Sequence, residues 1–198
     1  MTAQPVLLLG AGLGRRMGGP KVFTRAGEKT FLERILARCL ESGSPATLTF
    51  DPRFRDRLEA LLATLPAPRP RLVEAAGELP MLASVQAGLR AGGMEGGFWL
   101  WPVDAPFISA DGWARAVETA REAPDAVWKL RAGGRSGHPI WFPAWSVPII
   151  LAGSWQNGLL GFLETCPDRT RVLPLEGEEL RDFNTPEELA ASPKGEQK

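Results

Sequence analysis

The sequence predicts a three-layer αβα domain around a mainly parallel, Rossmann-like sheet, and three observations carry that prediction. Short continuous apolar runs, the pattern of strands covered on both faces, alternate with stretches of helical periodicity. The first run, Pro5 to Leu9, opens directly into a glycine-rich loop. A later run, Phe98 to Trp101, is followed closely by an acid, Asp104. In sheets of this kind ligands bind beyond the carboxyl ends of the strands, so the loop and Asp104 belong on one edge.

Taken in order, Pro5 to Leu9 reads as a buried strand and Gly10 to Lys21 as the loop. Phe31, Ile35 and Leu36 share one face of a helix from about Thr30 to Cys39, which Thr30 and Glu33 can open as a capping box. Ala46 to Phe50 is the second strand. Pro52 to Leu65 follows as an amphipathic helix carrying Phe54, Leu58, Leu61, Leu62 and Leu65, stopped by Pro66, Pro68 and Pro70. Arg71 to Glu74 makes a short strand, and Met81 to Ala91 a helix that Gly92 and Gly93 end. Beyond the strand at Phe98, Ser109 and Asp111 can cap a helix reaching about Arg121. Ala126 to Leu130 and His138 to Phe142 form two strands around a turn from Gly133 to Gly137, a hairpin-like insertion. A helix near Gln156 to Glu164, a strand at Val172 to Leu175 and a last helix opened by Asp182 to Glu187 complete a single domain over 1–192. Residues 193–198 read as a polar, disordered tail.

Composition narrows the function classes. With 198 residues, 44% hydrophobic and 23% charged, the chain suits one globular domain, and no apolar run approaches the ~20 residues of a membrane span. The 23 basic and 23 acidic side chains cancel, which supplies no general attraction for nucleic acid. Met1 to Leu9 has neither a basic leader region nor a small-residue cleavage site, so a cytoplasmic protein is expected. Cys39 and Cys166 match no metal-ligand spacing and are expected as reduced thiols. His138 is the only histidine, which excludes sites needing two imidazoles and leaves oxygen-ligand ions such as Mg²⁺ open.

The first loop carries the chemistry. Neither glycine frame completes G-x-G-x-x-G, because Arg15 or Met17 occupies the last position, and Lys21 lacks the neighbours of a Walker A loop. What remains is a run of exposed backbone amides with Arg15, Arg16 and Lys21 as counter-charges, which suits a triphosphate approached closely by main chain.

That run, Leu9-Gly10-Ala11-Gly12-Leu13-Gly14-Arg15-Arg16-Met17-Gly18-Gly19-Pro20-Lys21, resembles the signature of the nucleotidyltransferases that attach CMP or GMP to molybdopterin, L-A-A-G-x-S-x-R-M-G-x-x-K. Pro102-Val103-Asp104-Ala105-Pro106 looks like the family's P-V-D-x-P segment, and Asp182-Phe183-Asn184-Thr185-Pro186-Glu187 is similar to its D-x-N/D-T-P-E segment. Gly137-His138-Pro139 resembles a G-H-P of the cytidylyl branch. The chain departs from the signature at Gly10, usually Ala, and at Gly14, usually Ser.

The resemblance implies a sheet of the nucleotide-diphospho-sugar transferase type and transfer of a nucleotide from CTP, or less favourably GTP, to a phosphorylated acceptor such as molybdopterin. It implies Mg²⁺ as cofactor and handover of the product to a molybdoenzyme or its chaperone, with neither nucleic acid nor membrane as partner. Arg16, Lys21 and Asp104 take catalytic positions, and Gly10, Ala11, Gly12, Leu13, Gly14 and Ser84 nucleotide-binding ones. Ser84 lies in a segment, Leu79 to Leu89, that matches the family only loosely. Asp104 is the metal ligand; Asn184 is a second ligand or, equally, part of a helix cap with Thr185. His138 is an acceptor-side residue or a structural histidine, and Trp155 a pterin-facing ring or a packing residue. Two rival readings stay open: a sugar-phosphate nucleotidylyltransferase of the same fold, and a nucleotide-binding accessory protein without turnover.

Overall fold

The computed structural model describes residues 3–175 and 180–191. In chain order the elements are β1 (Val6–Leu9), β2 (Arg25–Ala26), β3 (Lys29–Thr30), α1 (Phe31–Glu41), β4 (Ala46–Phe50), α2 (Arg55–Ala63), β5 (Arg71–Glu74) and α3 (Met81–Arg90). They continue with β6 (Gly97–Pro102), α4 (Ala110–Glu122), β7 (Val127–Ala132), β8 (Arg135–Pro143), α5 (Ser146–Ala152), α6 (Leu159–Glu164), β9 (Thr170–Pro174) and α7 (Pro186–Ala190). Among the described residues seven strands form one sheet in the order β5-β4-β1-β6-β8-β7-β9, in which only β8 runs antiparallel to its neighbours.

The period-2 alternation of strand side chains sorts the core into two layers. Val6 and Leu8 of β1 and Trp99 and Trp101 of β6 face α1, α2 and α4, against Ile35, Leu58, Trp113 and Ala116. Leu7, Leu9, Phe98 and Leu100 face the other way, onto Val85 of α3, Val147 and Ile150 of α5 and Leu159 and Phe162 of α6. The αβα sandwich read from the apolar runs is therefore the observed architecture. Trp99, Trp101 and Trp113 are almost fully buried, with ring centroids 4.9 and 5.1 Å from Trp113 to its two partners. Truncating a ring of this kind to Ala costs about 3–5 kcal/mol.

Several boundaries moved. Thr30 and Glu33 do form the capping box of α1. The helix read from Pro52 begins instead as a short 3₁₀ turn, Pro52–Phe54, held by the Asp51 carboxylate, and α2 starts at Arg55. The helix read from Gln156 starts at Leu159, because Gly158 has φ +57° and breaks the helical backbone. The turn read over Gly133 to Gly137 tightens to Gly133-Gly134, and β8 already begins at Arg135. The β2–β3 hairpin was not read, since two-residue strands leave no alternation to detect. Nor was α5, because Pro148 looks like a breaker; it stands in the first helical turn, where its missing N–H costs no hydrogen bond. The expected tail, 193–198, and its boundary at 192 lie outside the described residues.

Cys39 is buried and both cysteines are free; burial pushes the Cys39 thiol up to about 12. No helix among the described residues is long and apolar enough to cross a membrane.

Candidate active site

The loop after β1 is shaped by two glycines at the positions where the chain departs from the family signature. The Gly10 amide donates to the Thr49 carbonyl at 2.9 Å, and a Cβ on Gly10 would press into Val22, Leu48 and that carbonyl. Gly14 has φ +56°, and a Cβ there would overlap the Gly19 carbonyl. The Met17 and Gly19 amides both donate to the Gly14 carbonyl, at 2.8 and 3.1 Å, so the loop closes on itself. A 3₁₀ turn, Arg15–Met17, leaves both arginines exposed, and a second one, Lys21–Phe23, sets Lys21 above the buried Val22.

Lys21 ties three distant segments together. Its ammonium donates to Asp104 Oδ2 at 2.9 Å and to Asn184 Oδ1 at 2.8 Å. Asp104 sits just past β6 and accepts the Phe183 amide on its main-chain carbonyl at 2.9 Å, while the Phe183 ring is buried with Phe31 and Phe107. The cap of α7 is Thr185, in a capping box with Glu188, not Asn184. Glu188 also accepts the Asn184 amide at 2.6 Å, which leaves the Asn184 side-chain oxygen directed at Lys21.

Two clefts meet at Asp104. The first, about 260 Å³, is lined by Gly12, Gly14, Arg15, Arg16, Lys21, Asp104 and Asn184. The second, about 460 Å³, is lined by Asp104, Lys129, Ser136, His138 and Asp182 on its polar side and by Met81, Phe142, Leu159, Leu160 and Leu163 on its apolar side. Burial holds His138 below the ordinary 6.5, and Lys129 adds to the shift, while Asp104 and Asp182 oppose it. The imidazole is accordingly neutral near pH 7.

The positions expected from the sequence divide. Gly12, Gly14, Arg16, Lys21, Asp104 and Asn184 are brought to the first cleft and His138 to the second. Gly10, Ala11 and Leu13 shape the loop from behind. Ser84 reaches neither cleft: α3 turns it inward with Val85, Gly88 and Leu89. Trp155 packs on Phe162, with ring centroids 5.6 Å apart, and over Gly153 and Gly161, so it is a packing residue of the α5–α6 layer.

A brace was missed. Asp51, buried at the end of β4, accepts the Gly77 amide at 2.8 Å and the Arg53 guanidinium at 2.7 and 2.8 Å. Arg53 and that amide hold its carboxyl well below the usual carboxylate range. Gly77 lies directly against the Ala11 carbonyl and the Leu13 side chain, with no room for a Cβ, so Asp51 clamps the segment after β5 onto the glycine loop. The signal was present: Asp51 follows an apolar strand and precedes proline, as Asp104 stands just past β6 and two residues before Pro106.

Asp104 and Asn184 offer two oxygen donors already converged on one cationic point, the Lys21 ammonium. Among the described residues no group of three or more His, Cys, Asp or Glu side chains could enclose a metal. Two oxygens without nitrogen or sulfur fit a hard divalent ion that takes its other ligands from water and phosphate.

The model of the MobA-like NTP transferase domain matches residues 6–170. No curated protein sequence matches the chain. Rv0371c from Mycobacterium tuberculosis H37Rv superposes with a TM-score of 0.79 at 19% identity, covering 96% of this chain and 97% of its own; its manganese complex gives 0.74 at the same identity and coverage. 4-diphosphocytidyl-2C-methyl-D-erythritol synthase from Anaerococcus prevotii gives 0.72 at 14% identity, covering 96% and 93%. Molybdopterin-guanine dinucleotide biosynthesis protein A from Archaeoglobus fulgidus gives 0.63 at 17% identity, covering 94% and 95%. These likenesses show the fold, and the domain match spans most of the sequence: the chain belongs to the MobA-like NTP transferase family and is a nucleotidyltransferase.

Proposed function

We propose that the protein transfers a nucleoside monophosphate from CTP, or less favourably GTP, to the phosphate of a small acceptor, molybdopterin, with release of pyrophosphate. An acceptor phosphate oxygen attacks the α-phosphorus, the bond from that phosphorus to the oxygen leading to the β-phosphate breaks, and pyrophosphate departs. The acceptor oxygen is already ionised, so no strong general base is required and alignment with charge neutralisation carries the rate. The observation that carries the reading is the meeting of Lys21, Asp104 and Asn184 across 83 and 163 residues, at the junction of two clefts. Gly12, Gly14 and Arg16 would cradle the triphosphate in the first cleft, Lys21 would hold the departing pyrophosphate, and the acceptor would enter through the second, beside His138.

Mg²⁺ is the proposed cofactor, held by Asp104 and Asn184; when bound it neutralises phosphate charge and polarises the phosphorus–oxygen bonds. The manganese complex of the mycobacterial protein of similar fold supports a divalent ion here. The acceptor rests on the motif resemblance and on the similarity to the Archaeoglobus protein. Action in the cytoplasm and handover to a molybdoenzyme or its chaperone belong to the same proposal. Pyrophosphate release measured with each of four NTPs, against molybdopterin and a panel of sugar phosphates, tests it. Turnover with CTP and molybdopterin is expected. Turnover with sugar phosphates alone favours the rival acceptor, and binding of Mg-CTP without release from any acceptor favours a non-catalytic protein.

A further inference from the structure

A further cavity, about 620 Å³, opens on the other edge of the sheet from the two clefts. Pro5, Ala46 and Arg71, which line it, stand at the amino ends of β1, β4 and β5, whereas the clefts lie beyond the carboxyl ends. Its volume is that of a small-molecule site, and such sites combine apolar walls with a few placed polar groups. Leu36 and Leu40 of α1 and Pro68 supply the apolar wall, and Leu40 is 44% exposed there. Arg69 and Arg71 supply the charge. Neither arginine enters a salt bridge among the described residues, and no Asp or Glu lines the cavity. Glu95, close by, already accepts the Gly93 amide at 3.2 Å. Arg71 donates to the Ala91 carbonyl and Arg69 to the Ala63 carbonyl at 3.5 Å, contacts that orient each guanidinium and leave its other donors unspent. Thr47 adds a second signal: it lines the cavity at only 7% exposure, and its hydroxyl makes no hydrogen bond among the described residues. A buried hydroxyl without a partner costs free energy that a ligand oxygen recovers.

We propose that this cavity binds a small aromatic carboxylate, its carboxylate held by Arg69 and Arg71 and its ring laid on Leu36, Leu40 and Pro68. Planar guanidinium forks match a carboxylate in geometry as well as charge, and they stack on flat rings. A monoanion fits better than a phosphate dianion, because the carboxyl ends of α1 and α3 border the cavity and their carbonyls oppose concentrated negative charge. Nothing in this assignment depends on the acceptor, nucleotide or metal proposed above, since no residue of the first or second cleft lines this cavity.

The test titrates naphthalene-2-carboxylate into the full-length protein by calorimetry, with 2-naphthalenemethanol, acetate and 2-naphthyl phosphate as comparisons. The carboxylate is expected to bind at least about tenfold more tightly than the alcohol or acetate, since each lacks one half of the recognition, and no less tightly than the phosphate. The double variant Arg69→Ala, Arg71→Ala should weaken it by about tenfold or more. Leu40→Asp, an exposed change that leaves both arginines and their helix-end contacts in place, should weaken it to a similar extent. Lys21→Ala, in the first cleft, and Arg171→Ala, on the far edge strand β9, should leave binding unchanged. No binding by the wild type, equal binding of the alcohol or acetate, or tighter binding of the phosphate overturns the assignment. So does unchanged affinity in either cavity variant, or an equal loss in K21A or R171A, which would place the ligand elsewhere. Failure of pyrophosphate release with every acceptor would remove the nucleotidyl-transfer reading and leave this binding intact.

Discussion

The two clefts that share Asp104 are built on different principles. The first is made by one contiguous stretch: glycine backbone, two arginines and Lys21, all between Gly12 and Lys21, closed by Asp104 and Asn184. The second is assembled from side chains of β6, β7, β8, α3 and α6, and no two of its polar groups outside β8 belong to one element. Backbone amides suit a ligand part common to every NTP, the triphosphate, whereas a wall of separate side chains can differ with the acceptor. In the proposed reaction the contiguous loop would present the site for the common part, and the dispersed strands and helices would hold the acceptor that distinguishes one reaction from another.

The largest expected effect lies where the clefts meet. Asp104→Ala should lower pyrophosphate release on the order of 10³-fold, because the divalent ion that Asp104 would hold stabilises developing phosphate charge by several kcal/mol, with the melting temperature nearly unchanged. A rate near wild type would separate the clefts mechanistically and remove Asp104 from the reaction. Next comes the first cleft alone. Lys21→Ala should raise the apparent KM for NTP by roughly 10–100-fold, the worth of one charge-assisted phosphate contact. Unaltered nucleotide kinetics would contradict its assignment.

Gly14→Ala probes backbone rather than charge. A side chain at φ +56° costs about 1–2 kcal/mol and here also meets the Gly19 carbonyl, so the loop must reopen. Nucleotide affinity by titration should fall by about tenfold. An unchanged affinity would mean that the loop backbone does not hold the nucleotide.

The smallest effect is a pH dependence confined to the second cleft. His138 is held below its unfolded value of 6.5, so the unfolded chain binds the proton first as pH falls. Its contribution to stability is fully present above 6.5 and is lost as pH drops through that value toward the lower folded one. The difference in melting temperature between wild type and His138→Asn should shrink over this window. A difference that grows on acidification would mean the imidazole is charged in the fold.

Legibility followed the same division. The strand runs, the capping box at Thr30 and the glycine loop follow from interactions that close within a few residues, which a linear reading can follow. Ser84 lines neither cleft because the face of α3 that turns inward depends on what packs there, Leu7 against Gly88, and not on local pattern. The Asp51 brace was overlooked because its partner, Gly77, lies 26 positions away with nothing in the intervening chain to announce the contact. Lys129 reads as an ordinary polar residue in a strand until β8 slips beside it.

By itself the sequence determined the layered architecture, the glycine-rich and cationic first loop and the acid just past the sixth strand, since periodicity, turn chemistry and charge act over short range. Only the tertiary structure decided that Lys21 reaches both Asp104 and Asn184 and that a second cleft with its own cation opens beside Asp104. Those outcomes depend on strand order and register, which place residues far apart along the chain within hydrogen-bond reach once the core has packed.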